Sequence, residues 1–158
     1  MRVLAIDPGY ERIGIAIIDE QNGKEIHQYS DCFRTPADIP FSERLAMIGT
    51  EIERVISVYT PEALAIETLY FTSNQKTAML VAEARGVILY IAAKNNLALY
   101  EYTPLQIKAA VTGDGRSDKE QVTRMVTQLL KIEKHITHDD EYDAIAIGLT
   151  CLATRLTR

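Results

Sequence analysis

Residues 3–18, VLAIDPGYERIGIAII, decide the fold because they hold two apolar strand patterns on either side of a turn. The first run stops at Asp7-Pro8-Gly9, where proline presets φ and glycine accepts a positive φ. The second run, residues 13–18, is again apolar and rich in isoleucine. This stretch predicts a buried strand that ends at Asp7, then a turn and a second strand.

Later segments extend the pattern into a larger sheet. Asn22-Gly23 favours a hairpin into a third strand at about residues 24–34. Apolar residues then recur at helical spacing from Phe41 to the break at Thr60-Pro61, and residues 62–67 form a fourth apolar strand pattern. Because helices connect the later strands, those strands are expected to be parallel.

Five further elements complete the predicted fold. We expect a long, broadly apolar helix over residues 74–95 and a fifth strand over residues 97–102. Pro104 starts the next helix, Ser117-Asp118-Lys119-Glu120 is predicted to be the capping box of another, and a last helix starts near Asp139. The order of elements predicts an α/β fold, a mixed five-stranded sheet with helices on both faces.

Size and charge limit the function classes. At 158 residues, the chain fits one globular domain spanning residues 1–158. The formal charge of −5 argues against indiscriminate binding to nucleic acid. Residues 104–131, however, carry five basic and three acidic side chains, so this segment has a net charge of +2 and the rest of the chain −7. This segregation predicts a basic face beside an acidic, cation-holding centre, with ordinary solvated helix faces as the alternative.

Localisation and cysteine usage follow from the same composition. No apolar run approaches the roughly 18 residues that span a bilayer, and the N-terminal sequence shows no export signal. We therefore expect a cytoplasmic protein without membrane association. Cys32 and Cys151 lack metal-ligand or redox spacing, which predicts buried thiols.

Four acidic residues form the candidate site. Asp7 and Glu67 each end an apolar strand, and sheets of this class bind ligands beyond the carboxyl ends of their strands. Asp140 and Asp143 are three residues apart at the start of the last helix, which places them on one face. A turn-forming role for Asp7 and a solvated strand end at Glu67 are the alternatives.

The last helix contains the strongest single indication of a site. Asp143 precedes four apolar residues, which predicts partial burial, and no Lys or Arg lies near it in the sequence to compensate its charge. Asp140 has a competing role as the third residue of a helix capped by Thr137. His138 is a candidate proton shuttle or outer metal ligand, with an exposed helix-start histidine as the alternative.

The chemistry of the four carboxylates indicates a metal. Without a cluster of His or Cys, they suit Mg²⁺ or Mn²⁺ better than Zn²⁺. Two such ions about 4 Å apart can activate a water and stabilise the leaving oxygen in phosphodiester hydrolysis. The sequence therefore predicts a metal-dependent nuclease with two Mg²⁺ ions in each active site, with Mn²⁺ as an alternative ion.

Four motifs together resemble a known family. They are Asp7-Pro8-Gly9 with Gly14, Ala65-Ile66-Glu67, Ala84-Arg85-Gly86, and Asp140-x-x-Asp143 followed by Ala144-Ile145-Ala146-Ile147. In this order they resemble the RuvC family of Holliday-junction resolvases over nearly the whole chain. The resemblance implies an RNase H-like fold and a homodimer that cuts four-way DNA junctions symmetrically in recombination and repair.

The resemblance also implies roles for individual residues. By position, Asp7, Glu67, Asp140 and Asp143 match the metal-binding catalytic acids of the family. Because Asp139 and Glu141 flank Asp140, its role rests on the three-residue spacing to Asp143.

The DNA-contacting residues follow in the same way. Lys108 and Lys119 match the family's DNA-contacting lysines, and both lie in the basic segment. Tyr70 falls where the family carries an aromatic that stacks on junction bases, and Phe71 beside it leaves the choice between the two open. The long helix around Met79 to Tyr90 offers a surface for dimerisation, with ordinary sheet packing as the alternative.

Other functions compete with this prediction. A YqgF-type RNase H-like nuclease acting on RNA shares Asp7-x-Gly9 and Gly14, and a non-catalytic junction-binding scaffold would share the basic face. A sugar-kinase or actin-type ATPase needs two such domains, for which the chain is too short. The sequence leaves open whether a helicase-type branch-migration complex delivers the junction.

Overall fold

The computed structural model describes residues 1–69 and 75–155, and within them five strands form one sheet in the order β3-β2-β1-β4-β5. The strands are β1 (Arg2–Asp7), β2 (Arg12–Gln21), β3 (Lys24–Arg34), β4 (Ala63–Glu67) and β5 (Ala98–Tyr102). The first three form an antiparallel meander, whereas β4 runs parallel to β1 and β5 parallel to β4. The predicted mixed five-stranded sheet is confirmed.

Helices cover both faces of this sheet, as predicted. They are α1 (Phe41–Tyr59), α2 (Gln75–Lys94), α3 (Pro104–Thr112), α4 (Lys119–Leu130) and α5 (Asp139–Arg155). Side chains alternate between the faces along each strand. In β1, Leu4 and Ile6 pack with α1 and α2, while Val3 and Ala5 pack with α3, α4 and α5.

Glycines bring α5 unusually close to the sheet. A Cβ atom at Gly14 in β2 would lie 1.8 Å from the carbonyl oxygen of Asp140 at the start of α5. One at Gly148, further along α5, would lie 2.6 Å from the side chain of Ile18. Two contacts that only glycine permits therefore fix the height and direction of α5 over β1 and β2.

The boundaries of most elements follow from local turn and cap chemistry. Asn22 and Gly23 both have positive φ, as a tight hairpin requires, and the left-handed Thr60 ends α1 by donating its N–H to the carbonyl of Ile56. Thr103 and Gln106 form a reciprocal capping box at the start of α3.

The predicted capping box of α4 is wrong by one residue. Asp118 is the N-cap and exchanges hydrogen bonds with Gln121, because the helix begins at Lys119 and its third residue is Gln121 rather than Glu120. Ser117 is buried, and its hydroxyl lies 2.7 Å from that of Thr112. The overlapping pairs Ser117-x-x-Glu120 and Asp118-x-x-Gln121 both satisfy the sequence pattern, so packing decides between them.

Both cysteines are buried free thiols, as predicted: Cys32 in β3 and Cys151 in α5. None of the helices in the described ranges has the length and apolar character needed to cross a membrane.

Candidate active site

The carboxyl ends of β1 and β4 place two acids side by side. The parallel register pairs Ala5 with Ala65 and Ile6 with Ile66, so the next residues along, Asp7 and Glu67, are neighbours. By strand alternation both side chains lie on the same face as Ala5 and Ala65, the face covered by α5. The predicted adjacency of these two strand-end acids follows directly from the register.

Asp7 lies within the electrostatic field of the other three acids. Burial, together with the negative charges of Asp143, Glu67 and Asp140, raises the pKa of Asp7 to about 8, against a smaller lowering by Lys119. A carboxyl group in this environment keeps its proton near neutral pH because ionisation would add another negative charge to the cluster. The four predicted carboxylates are therefore coupled, although they come from three separate stretches of sequence.

The close approach of α5 to Gly14 positions Asp140. Gly14 is paired with Asp7 across β1 and β2, and the backbone of Asp140 lies directly above it. The Asp140 carboxylate is 3.4 Å from the Nε of Arg12 in an ion pair, and the Cys32 thiol donates to the same oxygen across 3.9 Å. Arg12 was not predicted as a site residue, because its partner Asp140 lies far along the chain.

Asp143 has a cationic partner that the sequence did not reveal. The Nζ of Lys119, on α4, lies 3.0 Å from the Asp143 carboxylate and 3.2 Å from that of Asp139. Burial still raises the pKa of Asp143, and the ion pair with Lys119 opposes this shift. The prediction of a partly buried Asp143 holds, while its compensating charge comes from another helix.

Glu67 and the two predicted DNA-contacting lysines line one cleft. Burial and the charge of Asp143 raise the pKa of Glu67, while Lys108 and Lys119 lower it. The lining residues of the cleft are Glu67, Pro104, Ile107, Lys108, Lys119, Val122, Asp143 and Ala146. The cleft therefore contains two acids, Glu67 at the end of β4 and Asp143 on α5, together with one lysine from each of α3 and α4.

The three adjacent acids at the start of α5 have different environments. Asp139 is exposed, with a side-chain exposure of 74%. Glu141 is buried and accepts hydrogen bonds from Ser30 and Lys134, at 2.6 Å each, on the β3 side of the helix. Asp140 lies between them, beside Gly14 and Arg12, which favours it over its two neighbours as the site residue.

Helix α5 begins at Asp139, so the residue before it in the N-cap position is His138. The alternative in which Thr137 caps this helix is therefore wrong by one residue. The backbone carbonyl of His138 accepts from the N–H of Glu141 at 3.2 Å. A role for the His138 side chain in proton transfer stays a prediction.

Arg85, from the Ala84-Arg85-Gly86 motif, supports the end of β4. Its Nε donates to the carbonyl oxygen of Glu67 at 3.4 Å, and its guanidinium forms an ion pair with Glu101 on β5. Arg85 therefore connects α2 to the strand that carries Glu67. The two predicted stacking aromatics, Tyr70 and Phe71, lie outside the described residues.

The donor chemistry of the site fits a hard divalent cation. Carboxylate oxygens are the ligands that Mg²⁺ and Mn²⁺ prefer. Burial and the charges of three neighbouring acids raise the pKa of Asp7, and a bound cation would oppose both effects. Within residues 1–69 and 75–155, no three or more His, Cys, Asp or Glu side chains converge on a single metal position. Cationic side chains face two of the four acids instead, Lys119 at Asp143 and Arg12 at Asp140.

The sequence matches a family model described as crossover junction endodeoxyribonuclease RuvC, over residues 3–151. The curated proteins of that name from Caldicellulosiruptor saccharolyticus and Thermosipho melanesiensis are similar to this chain. The first is 44% identical over 94% of this chain and 90% of its own length. The second is 42% identical over 97% of both.

Solved structures show the same architecture. The structure of T. thermophilus RuvC in complex with a Holliday junction substrate has 29% identity and a TM-score of 0.93, covering 99% of this chain and 96% of that chain. The yeast mitochondrial Holliday junction resolvase is similar in fold alone, with 14% identity and a TM-score of 0.74 over 98% of this chain and 80% of its own. The predicted family resemblance and RNase H-like fold are confirmed.

Proposed function

Because the chain belongs to the RuvC family of crossover junction endodeoxyribonucleases, we propose that it is a nuclease that resolves four-way DNA junctions by metal-dependent phosphodiester hydrolysis in recombination and repair. One observation carries the proposal. Asp7 and Glu67 leave neighbouring strands on the face where α5 places Asp140 and Asp143, so four carboxylates share one electrostatic environment. A matching fold without these acids would not support catalysis.

The four acids are proposed to hold Mg²⁺, with Mn²⁺ as an alternative, and two ions in each active site. When bound, such ions supply an activated water and stabilise the leaving oxygen. Asp7 has to lose its proton to act as a ligand, and burial together with the charges of the other three acids makes that loss unfavourable until a cation binds.

Lys108 and Lys119 are proposed to contact DNA phosphates. Both line the cleft that contains Glu67 and Asp143, and the Lys119 side chain is 54% exposed in spite of its ion pairs. An exposed ammonium group can exchange a carboxylate partner for a phosphate at little cost. Tyr70 or Phe71, which follow Glu67 in the sequence, is proposed to stack on an unpaired junction base, an interaction worth about 1–3 kcal/mol.

A homodimer is proposed through α2. Met79 and Tyr90 on this helix are 61% and 68% exposed, which is unusual for large apolar side chains in an element that also contributes to the core. A two-fold axis through this face would present two active sites to the two symmetric strands of a junction.

We also propose that residues 1–158 act as one cytoplasmic nuclease domain. On the basis of family membership, a branch-migration helicase complex that delivers junctions is proposed as a partner.

The alternative substrates separate in one assay. Four-way DNA, linear duplex DNA and structured RNA are incubated with the protein and Mg²⁺ at equal concentrations. We expect paired, symmetric nicks in the four-way DNA and little cutting of the other two. Cleavage of RNA alone would favour the YqgF-type nuclease, and tight junction binding without cutting by the wild-type protein would favour a scaffold.

A further inference from the structure

Two arginines lie opposite each other at the active-site end of the sheet. Arg12 starts β2 and Arg34 ends β3, and the antiparallel register pairs them directly. Directly paired residues have their side chains on the same face of a sheet. Both are exposed, with 53% exposure for the Arg12 side chain.

Strand alternation shows on which face of the sheet the two arginine side chains lie. Arg12 is two residues before Gly14, which the backbone of Asp140 covers, and Arg34 is two residues after Cys32. Cys32 packs on the face of β3 that meets Asp140. Both arginines therefore project onto the face that carries the four acids.

This pair has more positive charge than its surroundings neutralise. Arg12 contacts Asp140 with its Nε 3.4 Å from the carboxylate, and among residues 1–69 and 75–155 no carboxylate lies within ion-pair distance of Arg34. The nearest acid in the shallow cleft between them, Glu11, faces Arg44 instead. Because like charges directly opposite each other destabilise a sheet, this arrangement indicates an anionic partner from outside the chain.

The order of side chains along the sheet end shows which anion fits. Passing from β3 to β4, the terminal residues are Arg34, Arg12, Asp7 and Glu67, and Lys108 follows beyond them on α3. Asp7 pairs with Gly14, which pairs with Cys32, and Arg34 lies two residues beyond Cys32. Arg34 is therefore about 10 Å from Asp7 across two strand spacings and about 7 Å along the strands, or about 12 Å in all. That distance corresponds to a few phosphates of one strand, at about 3.4 Å of helix axis per phosphate.

We propose that Arg12 and Arg34 form a second phosphate-binding site, which holds the DNA backbone on the side of the four acids opposite to Lys108 and Lys119. The inference rests on the proposed function, because it takes the polyanion in the cleft to be a DNA strand. The strand would cross the sheet end with the scissile phosphate at the acids and flanking phosphates on a cationic group at either side. Arg12 would exchange its contact with Asp140 for a phosphate contact, whereas Arg34 needs no exchange.

The test measures the salt dependence of junction binding. An Asp7→Asn background prevents cutting, and binding to a labelled four-way junction is followed by fluorescence anisotropy over a range of salt concentrations. Arg34→Gln removes one phosphate contact and should lower the slope of log affinity against log salt by about 0.7–0.9. Arg34→Lys keeps the charge and should keep the slope.

Lys24→Gln is the matched control. Lys24 is also exposed and lies in the same β2–β3 hairpin, at the end of the sheet away from the acids. This variant should leave the slope unchanged. Arg12→Gln gives an independent measurement and should lower the slope as Arg34→Gln does, with thermal unfolding confirming that each variant is folded.

The two possible failures are distinguishable. A parent protein that binds the junction, combined with an Arg34→Gln slope equal to that of Lys24→Gln, would overturn this inference and leave the proposed function standing. A parent protein that does not prefer the junction over linear duplex would instead overturn the proposed function.

Discussion

The Nζ of Lys119 lies 3.0 Å from the carboxylate of Asp143, and this ion pair joins α4 to α5 at the centre of the acidic cluster. It places a cation against a side chain that is proposed to hold metal. Burial and neighbouring negative charges raise the pKa of Asp7 and of Glu67, and the charge of the same Lys119 opposes both shifts. Lys119 therefore reduces the repulsion among the acids and, being half exposed, can also reach a phosphate.

Lys119→Gln should impair cutting far more than stability. Since the ion pair is half exposed, its loss should cost less than about 1 kcal/mol in the free energy of unfolding. The cutting rate should fall at least about tenfold, because groups that stabilise charge in an active site often contribute 10²–10³. Single-turnover cleavage and urea denaturation measure the two effects. Arg124→Gln removes the same charge from α4, and equal cutting by both variants would contradict the role of Lys119.

Asp7→Asn should stabilise the metal-free protein in a pH-dependent way. The pKa of Asp7 is about 8 in the folded state and near 3.8 when unperturbed, so the folded state holds a proton that the unfolded state has lost between these values. That contribution to stability is present at low pH and is lost as the pH rises through about 8. The advantage of Asn over Asp should therefore grow from pH 4 to pH 9, by an amount on the order of a few kcal/mol.

Urea denaturation in EDTA measures this change, and Asp19→Asn is a control of opposite sign. Burial alone would raise the pKa of Asp19, but hydrogen bonds from Gln21 and Arg2 outweigh this effect and lower it. Replacing Asp19 should therefore destabilise the protein more at pH 7 than at pH 3. A pH-independent difference between wild type and Asp7→Asn would show that Asp7 titrates normally.

Much of this site was predictable because it depends on strand ends. Asp7 and Glu67 each follow an apolar strand, and the parallel arrangement of those strands required only the helix between them. The spacing of Asp140 and Asp143 likewise fixed their common helix face. Local periodicity and topology therefore sufficed to group the four acids into two pairs, and the close passage of α5 over the sheet brings the two pairs together.

The cations around the acids were not predictable in the same way. Arg12 pairs with Asp140, and Lys119 with Asp143, only because α5 packs against β2 on one side and α4 on the other. Such contacts between distant segments leave no periodic pattern in a single sequence. The start of α4 shows a related limit, since two overlapping cap motifs are equally good locally and tertiary packing selects Asp118.

Gly14→Ala should disturb both stability and Asp140. The added Cβ would meet the backbone carbonyl of Asp140 at 1.8 Å, and backbone cannot move away as a flexible side chain can. We expect a loss of about 1–3 kcal/mol or more in the free energy of unfolding, and a cutting defect that persists at temperatures where the variant is folded.

Gly49→Ala in α1 is the control for this substitution. There the nearest atoms are the side-chain ends of Ile91 and Val87, at 3.3 and 3.4 Å. Alanine also favours a helix over glycine by about 1 kcal/mol. This variant should stay within about 1 kcal/mol of wild type, and similar destabilisation of both variants would mean that Gly14 has no special contact.

Tyr90→Glu should convert the proposed dimer into monomers. Tyr90 is exposed on α2, in the proposed dimer interface. Because the two-fold axis repeats each residue, the substitution would bury two carboxylates without a compensating partner. Light scattering should show half the wild-type mass, with the thermal midpoint of the monomer little changed. Val58→Glu on α1 places the same change at an exposed apolar position of another helix and should remain dimeric. A monomeric wild-type protein at working concentration would contradict the proposed interface.

The most direct test of the four-carboxylate site separates binding from cutting in Asp7→Asn and Asp143→Asn. Both variants keep the shape of the side chain and remove its charge. In Mg²⁺, with wild type as reference, each should bind a four-way junction with an affinity within a few-fold of wild type and cut it at least about 10³-fold more slowly, because removal of one catalytic group commonly costs this much. Cutting by both variants at the wild-type rate would show that these carboxylates are not the catalytic centre.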